Sequence, residues 1–358
     1  MKKIIIFRTD RLGDFLIHSR PIYELKKKIK DSKIIVVCSK LNEKILIEND
    51  YIDELIVYDK KFSVFKRSKI FFKILFNKYY ASFILDGKNF SYLCNIFLLS
   101  NFKFGICYKS FKFFFGFKLV FTKPSKLYNY LFFTKYELFI SRKFLNKKVN
   151  LCQKYLNLFN FFNLDLKPTD RYIFQPQQKS ITLFNSIKKS LNLNDYILIH
   201  FDEKWLDVLN NDIDLVDSIN NLYLSVKKTI IITSYNNNFE YFNVLKKTYT
   251  YYDLKDSRLI NFSSSNIMII DNLQIFLFER FLKNSLVNIS CHSGFVAQVC
   301  GANNGKLIDI INEKDEEWYG CWAPLNTFHK FIYKSSVNNG AISPKIFFKE
   351  ISDLVNKL

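Results

Sequence analysis

Several residues with acid–base potential lie in the loop RTDRLGD (residues 8–14), between an apolar run and a stretch with helical spacing. Gly13 gives the backbone freedom for a tight strand-to-helix turn. Asp14 then lies where the helix begins, and there the free N–H groups and the helix dipole favour a carboxylate. Such a carboxylate can accept a proton from a sugar hydroxyl, although a plain N-cap aspartate explains the same position. Arg8 and Asp10 are lesser candidates.

A second group of candidates lies in LVNISCHSGFVAQVCG (residues 286–301), which reads as a strand, small polar residues, a glycine and a helix. This arrangement presents backbone N–H groups to a phosphate. Ser293 adds a hydroxyl donor, Gly294 permits close backbone approach, and His292 could donate to a pyrophosphate oxygen. A capped helix start beside a buried polar histidine is the alternative interpretation.

The third candidate segment is ILIHFDEKWLD (residues 197–207), where Lys204 could pair with a phosphate as a point charge. His200 fits a core position better than a ligand position, and Ser234 ends another predicted strand at the same edge. Four histidines without HxxH or HExxH spacing predict no metal site. The chain has no GxxxxGK(S/T) loop and no G-x-G-x-x-G after a strand, so a P-loop is excluded and NAD binding lacks support.

The first half of the chain alternates apolar runs with helical spacing, which predicts a parallel sheet covered by helices. Pro21 either kinks the first helix or starts its regular part. Residues 108–149 lack a clean period and are predicted to form a long substrate-side excursion. The predicted strands are 4–7, 34–38, 55–58, 82–86 and 102–107. Three helices are predicted: one that starts at Asp14, one over 63–79 and one over about 150–162.

The second half alternates in the same way, so we predict an α/β chain with two Rossmann-like halves and a ligand cleft between them, at the carboxyl ends of the strands. The segment 163–180, which contains Pro168 and Pro176, is the best linker candidate. The predicted domains are 1–170, 171–340 and a C-terminal helix at 341–358 that packs back toward the N-terminal domain. The predicted strands are 196–201, 228–234, 266–271, 286–290 and 306–311, and the helices are 211–226, 237–247, 274–284, a segment opening at 293 and 344–358.

The charge of the chain limits its partners, because 358 residues carry a formal net charge of +20. Nucleic acid, anionic lipid and phosphorylated small molecules all suit such a surface. No nucleic-acid motif accompanies the scattered lysines, so no specific nucleic acid is expected. A solvated surface in a chain of biased composition is the alternative explanation of the charge.

The cysteines and the apolar runs bear on the compartment. Seven cysteines without a CxxC pair predict reduced thiols in a cytosol. No signal peptide is visible, and no run approaches the roughly 18 apolar residues of a membrane span. We therefore expect a cytoplasmic protein that is soluble or peripheral on the membrane.

Taken in order, these segments resemble glycosyltransferase family nine, the ADP-heptose:lipopolysaccharide heptosyltransferases. The opening IIIFRTDRLGDFLIHSRPIYELKKKI is similar to that family's strand, R-x-D-x-x-G-D loop and proline-containing helix. The resemblance covers nearly the whole chain, and its first motif is the most specific. It continues through residues 49–59, 82–109, 196–205, 272–294 and 306–324.

The resemblance implies a GT-B fold and an inverting, metal-independent transfer that uses no cofactor. The nucleotide-sugar donor, with ADP-linked sugars first among the expected donors, would lie against the second domain and a glycan or glycolipid acceptor against the first. By the residue match, Asp14 is the general base that deprotonates the acceptor hydroxyl. The expected donor-binding residues are Lys204, Ser234, His292, Ser293 and Gly294, and the expected acceptor or loop residues are Arg8, Asp10, Gly13 and His18.

The chain departs from the family pattern at the donor site. Many members read D-(S/T)-G-x-x-H where this chain has His292 and Ala297 in place of the acid and the later histidine. The donor sugar and the acceptor therefore stay open, since 108–149 also lacks a family pattern. The Phe- and Lys-rich segment 111–135 would suit a peripheral enzyme on an anionic inner membrane, with an aromatic core element as the alternative. A degenerate, non-catalytic GT-B protein that binds membrane or nucleic acid through its basic face is the alternative function.

Overall fold

The computed structural model describes residues 1–114, 117–140, 150–169, 177–209, 212–234, 240–255, 258–261, 266–324, 328–334 and 344–358. The chain divides into two compact units. The first unit contains Met1–Gln175 and Glu317–Trp322, and the second contains Pro176–Glu316 and Ala323–Leu358.

The first unit alternates strands and helices, as the apolar runs predict. Its elements are β1 (Lys2–Arg8), α1 (Leu12–Lys28), β2 (Ser32–Cys38), α2 (Lys40–Leu46), β3 (Glu54–Val57), α3 (Val64–Leu75), β4 (Lys78–Ile84), α4 (Asn89–Phe97), β5 (Leu99–Phe114), β6 (Phe117–Lys123), α5 (Lys126–Phe132), β7 (Lys135–Ile140) and α6 (Leu151–Phe159).

The sheet of the first unit has the order β3-β2-β1-β4-β5-β6, and β7 pairs with β5. All neighbours are parallel except β5 and β6. Ile4 and Ile6 join the core that includes α1 and α6, while Ile5 and Phe7 join the core that includes α3 and α4. The strand order reverses beside β1, so the carboxyl ends of β1 and β4 form the edge where doubly wound sheets bind ligands.

The second unit is also built from alternating elements. They are α7 (Gln178–Ser190), β8 (Tyr196–Phe201), α8 (Asp212–Val226), β9 (Thr229–Ser234), α9 (Glu240–Thr248), β10 (Thr250–Asp253), β11 (Arg258–Asn261), β12 (Ile267–Asp271), α10 (Ile275–Asn284), β13 (Val287–Ser290), α11 (Gly294–Ala302), β14 (Lys306–Ile311), β15 (Phe328–Tyr333) and, after the short helix α12 (Glu316–Gly320), the last helix α13 (Pro344–Val355).

The sheet of the second unit has the order β11-β10-β12-β9-β8-β13-β14-β15, and only the β10–β11 pair is antiparallel among these strands. Here the order reverses beside β8. The carboxyl ends of β8 and β13 therefore form the corresponding ligand-binding edge of this unit. Both units thus confirm the predicted α/β class with largely parallel sheets.

Several predicted elements of the first unit differ from the observed ones, and the strand predicted over 82–86 lies at Lys78–Ile84. Residues 108–149 are not one irregular excursion, because their described part forms the end of β5, then β6, α5 and β7. The helix predicted over 63–79 ends at Leu75, and Tyr79 already belongs to β4. Helix α1 runs through Pro21 rather than starting there. In 110–121 the side chains lie outside the described residues, so the interpretation of segment 111–135 stays a prediction there.

The division into units differs from the predicted boundary at residue 170. The first unit reaches Gln175 and also takes back Glu317–Trp322. Within that unit, Trp322 stacks on Phe139 with ring centroids 6.1 Å apart. The aromatic packing of a distant segment therefore decides part of the boundary.

The C-terminal helix was predicted to return to the N-terminal domain, and the structure corrects this by placing α13 in the second unit. Phe347, Phe348 and Ile351 of α13 are buried in the same core as Leu215 and Ile219 of α8. Burial of these side chains supplies the hydrophobic free energy that holds the helix there.

Two further observations concern the cysteines and the helices. All seven cysteines are buried free thiols. Among the helices that the structure describes, none combines the length and the apolar character needed to cross a membrane.

Candidate functional site

Asp14 lies in the first turn of α1, at the carboxyl end of β1. The N-cap position belongs to Arg11, whose side chain makes no capping hydrogen bond. The Asp14 side chain keeps 44% of its surface exposed. A plain N-cap aspartate therefore does not describe this residue, whose carboxylate is accessible to a ligand.

Arg8 holds the backbone behind this carboxylate. The Arg8 Nε donates to the backbone oxygen of Asp14 at 3.1 Å, and its guanidinium lies 3.8 Å from Asp14 Oδ1. Another guanidinium nitrogen donates to the Leu85 carbonyl and, at 3.3 Å, to the Tyr155 hydroxyl. Burial lowers the pKa of Arg8, but Asp10, Tyr155 and Asp14 together raise it above its ordinary value. Arg8 is therefore a fixed, buried positive charge.

His18 supports Asp14 from the next turn of α1. Its Nδ1 lies 2.9 Å from the Asp14 backbone oxygen. Because a carbonyl oxygen can only accept, Nδ1 must carry the proton. Burial lowers the pKa of His18 well below its ordinary value, so this imidazole is neutral and acts as a positioning group.

Asp10 occupies a different environment from Asp14, although both belong to the same loop. Its Oδ1 lies 3.1 Å from Arg8 Nε. Burial raises the pKa of Asp10 to about 7, against the opposing effect of Arg8. The Asp10 carboxyl, beside the candidate base, is therefore easier to protonate than an ordinary aspartate.

Asp86 fixes the other side of this loop and was not predicted. Its Oδ2 accepts hydrogen bonds from Thr9 N at 3.2 Å, Thr9 Oγ1 at 2.6 Å and Ser91 Oγ at 2.9 Å. It lies two residues after β4, in the adjacent strand's carboxyl-end loop. The sequence did offer a signal for Asp86, because it ends the predicted strand SFILD. An acid that follows a predicted strand was also the reason for selecting Asp14.

Gly13 does not make the turn after β1, whereas Gly87 has a left-handed backbone in the separate turn after β4. Gly13 lies within the first turn of α1, because residues 9–11 make the turn before it. Gly87 has a φ of +58°, and a Cβ there would lie 2.2 Å from the Tyr108 ring. A side chain at position 87 would therefore strain the backbone and collide with the ring.

In the second unit, Lys204 and His292 meet at the carboxyl ends of β8 and β13. Lys204 Nζ donates to the His292 backbone oxygen at 2.5 Å. The buried Lys334 donates to the Lys204 backbone oxygen at 2.8 Å, and Asp202 Oδ1 accepts from Lys204 N at 3.0 Å. Burial raises the pKa of Asp202 to about 6 although Lys204 opposes the shift. These contacts hold the loop after β8 in place, with the Lys204 ammonium at the carboxyl edge of the sheet.

His292 has a left-handed backbone, with φ at +48°, and is held by a buried carboxylate. Asp309 Oδ2 lies 2.8 Å from His292 Nδ1 and 3.1 Å from His329 Nε2. Burial raises the pKa of Asp309, but the two histidines outweigh it and lower the value to about 2. The carboxylate therefore accepts from both rings, which commits His292 Nδ1 as a donor to Asp309.

Helix α11 begins directly after His292. Ser293 is the N-cap residue by position, but its side chain makes no capping hydrogen bond. Gly294 is exposed at the first helical position. The first turn of a helix offers backbone N–H groups that have no intrahelical acceptor, so this end suits an anion.

The structure brings together four of the five predicted donor residues, namely Lys204, His292, Ser293 and Gly294. Ser234 ends β9 and pairs with Phe201 of β8, one strand to the other side. His200 is a core residue: its Nδ1 lies 3.0 Å from Thr233 Oγ1, and burial lowers its pKa to about 3.

Sequence reasoning missed several residues of both groups. Asp309 carried a signal, because an acid inside the apolar run KLIDII needs a buried partner. Its partner His329 carried none, since β15 itself was not predicted. The other missed residues are Asp86, Tyr155, Asp202 and Lys334.

Comparisons with known proteins show the fold. No protein-family model matches the chain, and no curated protein matches it by sequence. A glycosyl transferase family 9 structure from Veillonella parvula has a TM-score of 0.66 at 14% identity, covering 100% of this chain and 98% of that one. E. coli ADP-heptose lps heptosyltransferase II has a TM-score of 0.62 at 12% identity, covering 100% and 99%.

A third solved structure has the same type of fold with another named activity. UDP-GlcNAc 2-epimerase from Methanocaldococcus jannaschii has a TM-score of 0.52 at 15% identity, covering 100% of both chains. The chain therefore has a GT-B type of fold with two Rossmann-like units. A fold of this kind carries more than one chemistry, so function must be argued from the site.

Proposed function

We propose that this protein is an inverting, metal-independent glycosyltransferase that moves a heptose or related sugar from a nucleoside-diphosphate donor to a hydroxyl of a lipopolysaccharide-type or other surface glycan. The observation that carries the proposal is Asp14. It is an exposed carboxylate at the switch point of the first unit, with Arg8 and His18 fixing its backbone. The likeness to a family 9 transferase supports the same assignment.

The proposed reaction assigns one role to each unit. Asp14 takes the proton as the acceptor O–H bond breaks, and the acceptor oxygen forms a bond to the anomeric carbon. The bond from that carbon to the donor's phosphate oxygen breaks, and the nucleoside diphosphate leaves with its electron pair. Attack opposite the leaving group inverts the anomeric centre.

The second unit would stabilise the leaving diphosphate. Lys204 supplies a positive charge, and the N-terminal turn of α11 supplies backbone donors. His292 would present Nε2 beside them, with the ring oriented by Asp309; because Nδ1 already donates to Asp309, Nε2 donates to a phosphate oxygen only when both ring nitrogens carry protons. These groups give the chain its own means of balancing phosphate charge, which is why the proposal includes no metal and no cofactor.

Substitution of Asp14 tests the proposal. Asp14→Asn should lower turnover roughly a hundredfold to ten-thousandfold, because the amide cannot accept the acceptor's proton. Binding of the nucleotide should stay within about twofold, since the donor residues in this assignment all belong to the second unit. Asp195→Asn, which removes an exposed carboxylate paired with Lys228, is the matched control.

Product analysis separates the proposal from the epimerase chemistry that the fold also carries. A transferase releases the nucleoside diphosphate only when an acceptor is present, whereas an epimerase converts the free nucleotide-sugar. Turnover of the nucleotide-sugar without an acceptor, or normal turnover by Asp14→Asn, would contradict the general-base assignment.

The alternative function is a non-catalytic GT-B protein that binds a membrane or nucleic acid through its basic surface. His292 and Ala297, at positions where the resembling family has an acid and a histidine, favour it. Binding to RNA or DNA that weakens steeply with salt, without any nucleotide binding, would support this alternative, because counterion release gives that salt dependence.

A further inference from the structure

Helix α3 of the first unit carries a stripe of exposed aromatic side chains. Phe65, Phe72 and Phe76 are spaced by seven and four residues, which places them on one side of a helix. They expose 82%, 51% and 85% of their surface. The Phe72 and Phe76 rings also stack on each other, with centroids 6.0 Å apart. We name Phe65, Phe72 and Phe76 the α3 stripe.

The opposite side of α3 is the one that packs on the sheet. Ile74 is fully buried, and Ile70 and Phe71 pack beside it against the core that includes α4. Nine residues separate Phe65 from Ile74, which is half a turn beyond two full turns of helix. The α3 stripe is therefore a second apolar face. Contiguous exposed apolar side chains of this kind mark interaction sites.

The segment that carries the α3 stripe is basic. Residues 60–78 contain seven lysines and arginines and no aspartate or glutamate. Lys66 and Lys69 are exposed on α3, and Lys73 forms an ion pair with Glu54 at 2.9 Å. Protein–protein interfaces are depleted in lysine, whereas helices that lie on membranes combine lysines with phenylalanines.

We propose that α3 is a lipid-binding helix, which inserts the α3 stripe at the headgroup boundary of an anionic membrane while its lysines pair with lipid phosphates. Each basic residue near an anionic surface adds attraction, and each inserted ring adds apolar burial. The inference deepens the proposed function by naming the surface that would hold the enzyme at a lipid-linked acceptor, and it rests on that function only for this purpose.

The test is co-sedimentation with phosphatidylcholine vesicles that do or do not contain phosphatidylglycerol. The wild type should bind the anionic vesicles, and added salt should weaken the binding.

The variants test the two parts of the surface. The triple variant F65S/F72S/F76S should partition at least about tenfold more weakly into the vesicles. The double variant K66E/K69E should lose most of the vesicle binding. L224S is the matched control, because Leu224 of α8 is 65% exposed. The stripe is exposed, so circular dichroism should show all variants folded.

Several outcomes would overturn the proposal. They are unchanged vesicle binding by the triple variant, equal binding to neutral vesicles, or no binding by the wild type. Self-association that the triple variant loses, without lipid binding, would assign the stripe to a second copy of the chain instead. Asp14→Asn separates the two proposals, because it should bind vesicles like the wild type whether or not the transferase assignment is right.

Discussion

At the scale of single residues, the first unit places two carboxylates of one loop in different surroundings. Asp10 is mostly buried beside Arg8, while Asp14 keeps 44% of its side chain exposed and has its backbone oxygen held by Arg8. An arrangement of this kind lets one acid store a proton while its neighbour meets the ligand. The fixed guanidinium of Arg8 opposes the proton on Asp10 and holds the backbone of Asp14.

The raised pKa of Asp10 predicts a particular pH dependence of stability. The folded value of about 7 exceeds the ordinary 3.8, so the folded state binds more protons between these values. The free energy of unfolding should therefore fall as pH rises through this window. Asp10→Asn imitates the protonated acid and should lose less stability between pH ~5 and pH ~8. Urea unfolding at both pH values measures this, and parallel losses in both proteins would contradict the assignment.

Asp309 should affect the affinity for the nucleotide indirectly, by orienting the His292 ring. Asp309→Asn removes the carboxylate that accepts from His292 Nδ1, so the affinity for a nucleoside diphosphate should fall about tenfold and stability by roughly 1–3 kcal/mol. Calorimetry and urea unfolding measure the two effects.

The matched control for Asp309 is His329→Gln, which disturbs the same carboxylate without releasing His292. It should cost stability but leave nucleotide affinity nearly unchanged. Equal losses of affinity in both variants would make Asp309 a structural residue only.

The candidate site residues of the first and second units differed in how far the sequence could predict them. Asp14, Ser293 and Lys204 follow predicted strands, so strand ends alone placed them. Asp309 meets His292 and His329 across 17 and 20 residues. Those contacts depend on the neighbouring positions of β13, β14 and β15 in the sheet, which no local spacing encodes.

At the scale of elements, the turn after β4 gives a direct test of backbone strain. Gly87→Ala should destabilise the protein by roughly 1–3 kcal/mol, because φ is +58° and the new Cβ would meet Tyr108. Gly320→Ala is the matched control, since no atom lies within 4 Å of its Cβ position and alanine favours helix. Thermal unfolding compares them, and equal melting temperatures would contradict the strain argument.

Three strands that the sequence did not predict share a physical reason. The strands β10, β11 and β15 lie in short runs such as TYYD, where pairing with a neighbour outweighs any local periodicity. Helix α3 was extended too far because no glycine or proline separates it from β4. A continuous apolar run such as YILIHF, buried at every position, is recognisable on its own, and this strand was predicted to the residue.

At the scale of the whole molecule, the chain leaves the second unit once and returns to it. Residues Glu317–Trp322 belong to the first unit, where Trp322 packs near Tyr155 and Phe139. Composition could suggest the linker near Gln175, but it could not reveal this second crossing. A single cut of the chain therefore does not separate the two units.

The assignment of roles to units predicts how a nucleotide acts on the whole protein. The proposed phosphate-binding residues all belong to the second unit, so a nucleoside diphosphate alone should slow amide hydrogen exchange most in residues 202–207 and at the start of α11. The matching ligand should also raise the melting temperature, since a hundredfold excess over Kd stabilises by roughly 2.7 kcal/mol. Ser293→Trp should abolish both effects by filling the phosphate site, while Asp14→Asn should keep them.

The panel for this last measurement is ADP, GDP, UDP, CMP and ADP-heptose. A response to ADP compounds alone supports an ADP-linked sugar donor. A response to GDP or UDP keeps the transferase and changes the donor. No response to any of the five nucleotides would contradict the donor assignment. Slower amide hydrogen exchange confined to the loop before α1 would contradict it as well. The basic surface and the α3 stripe would then have to explain the protein without catalysis.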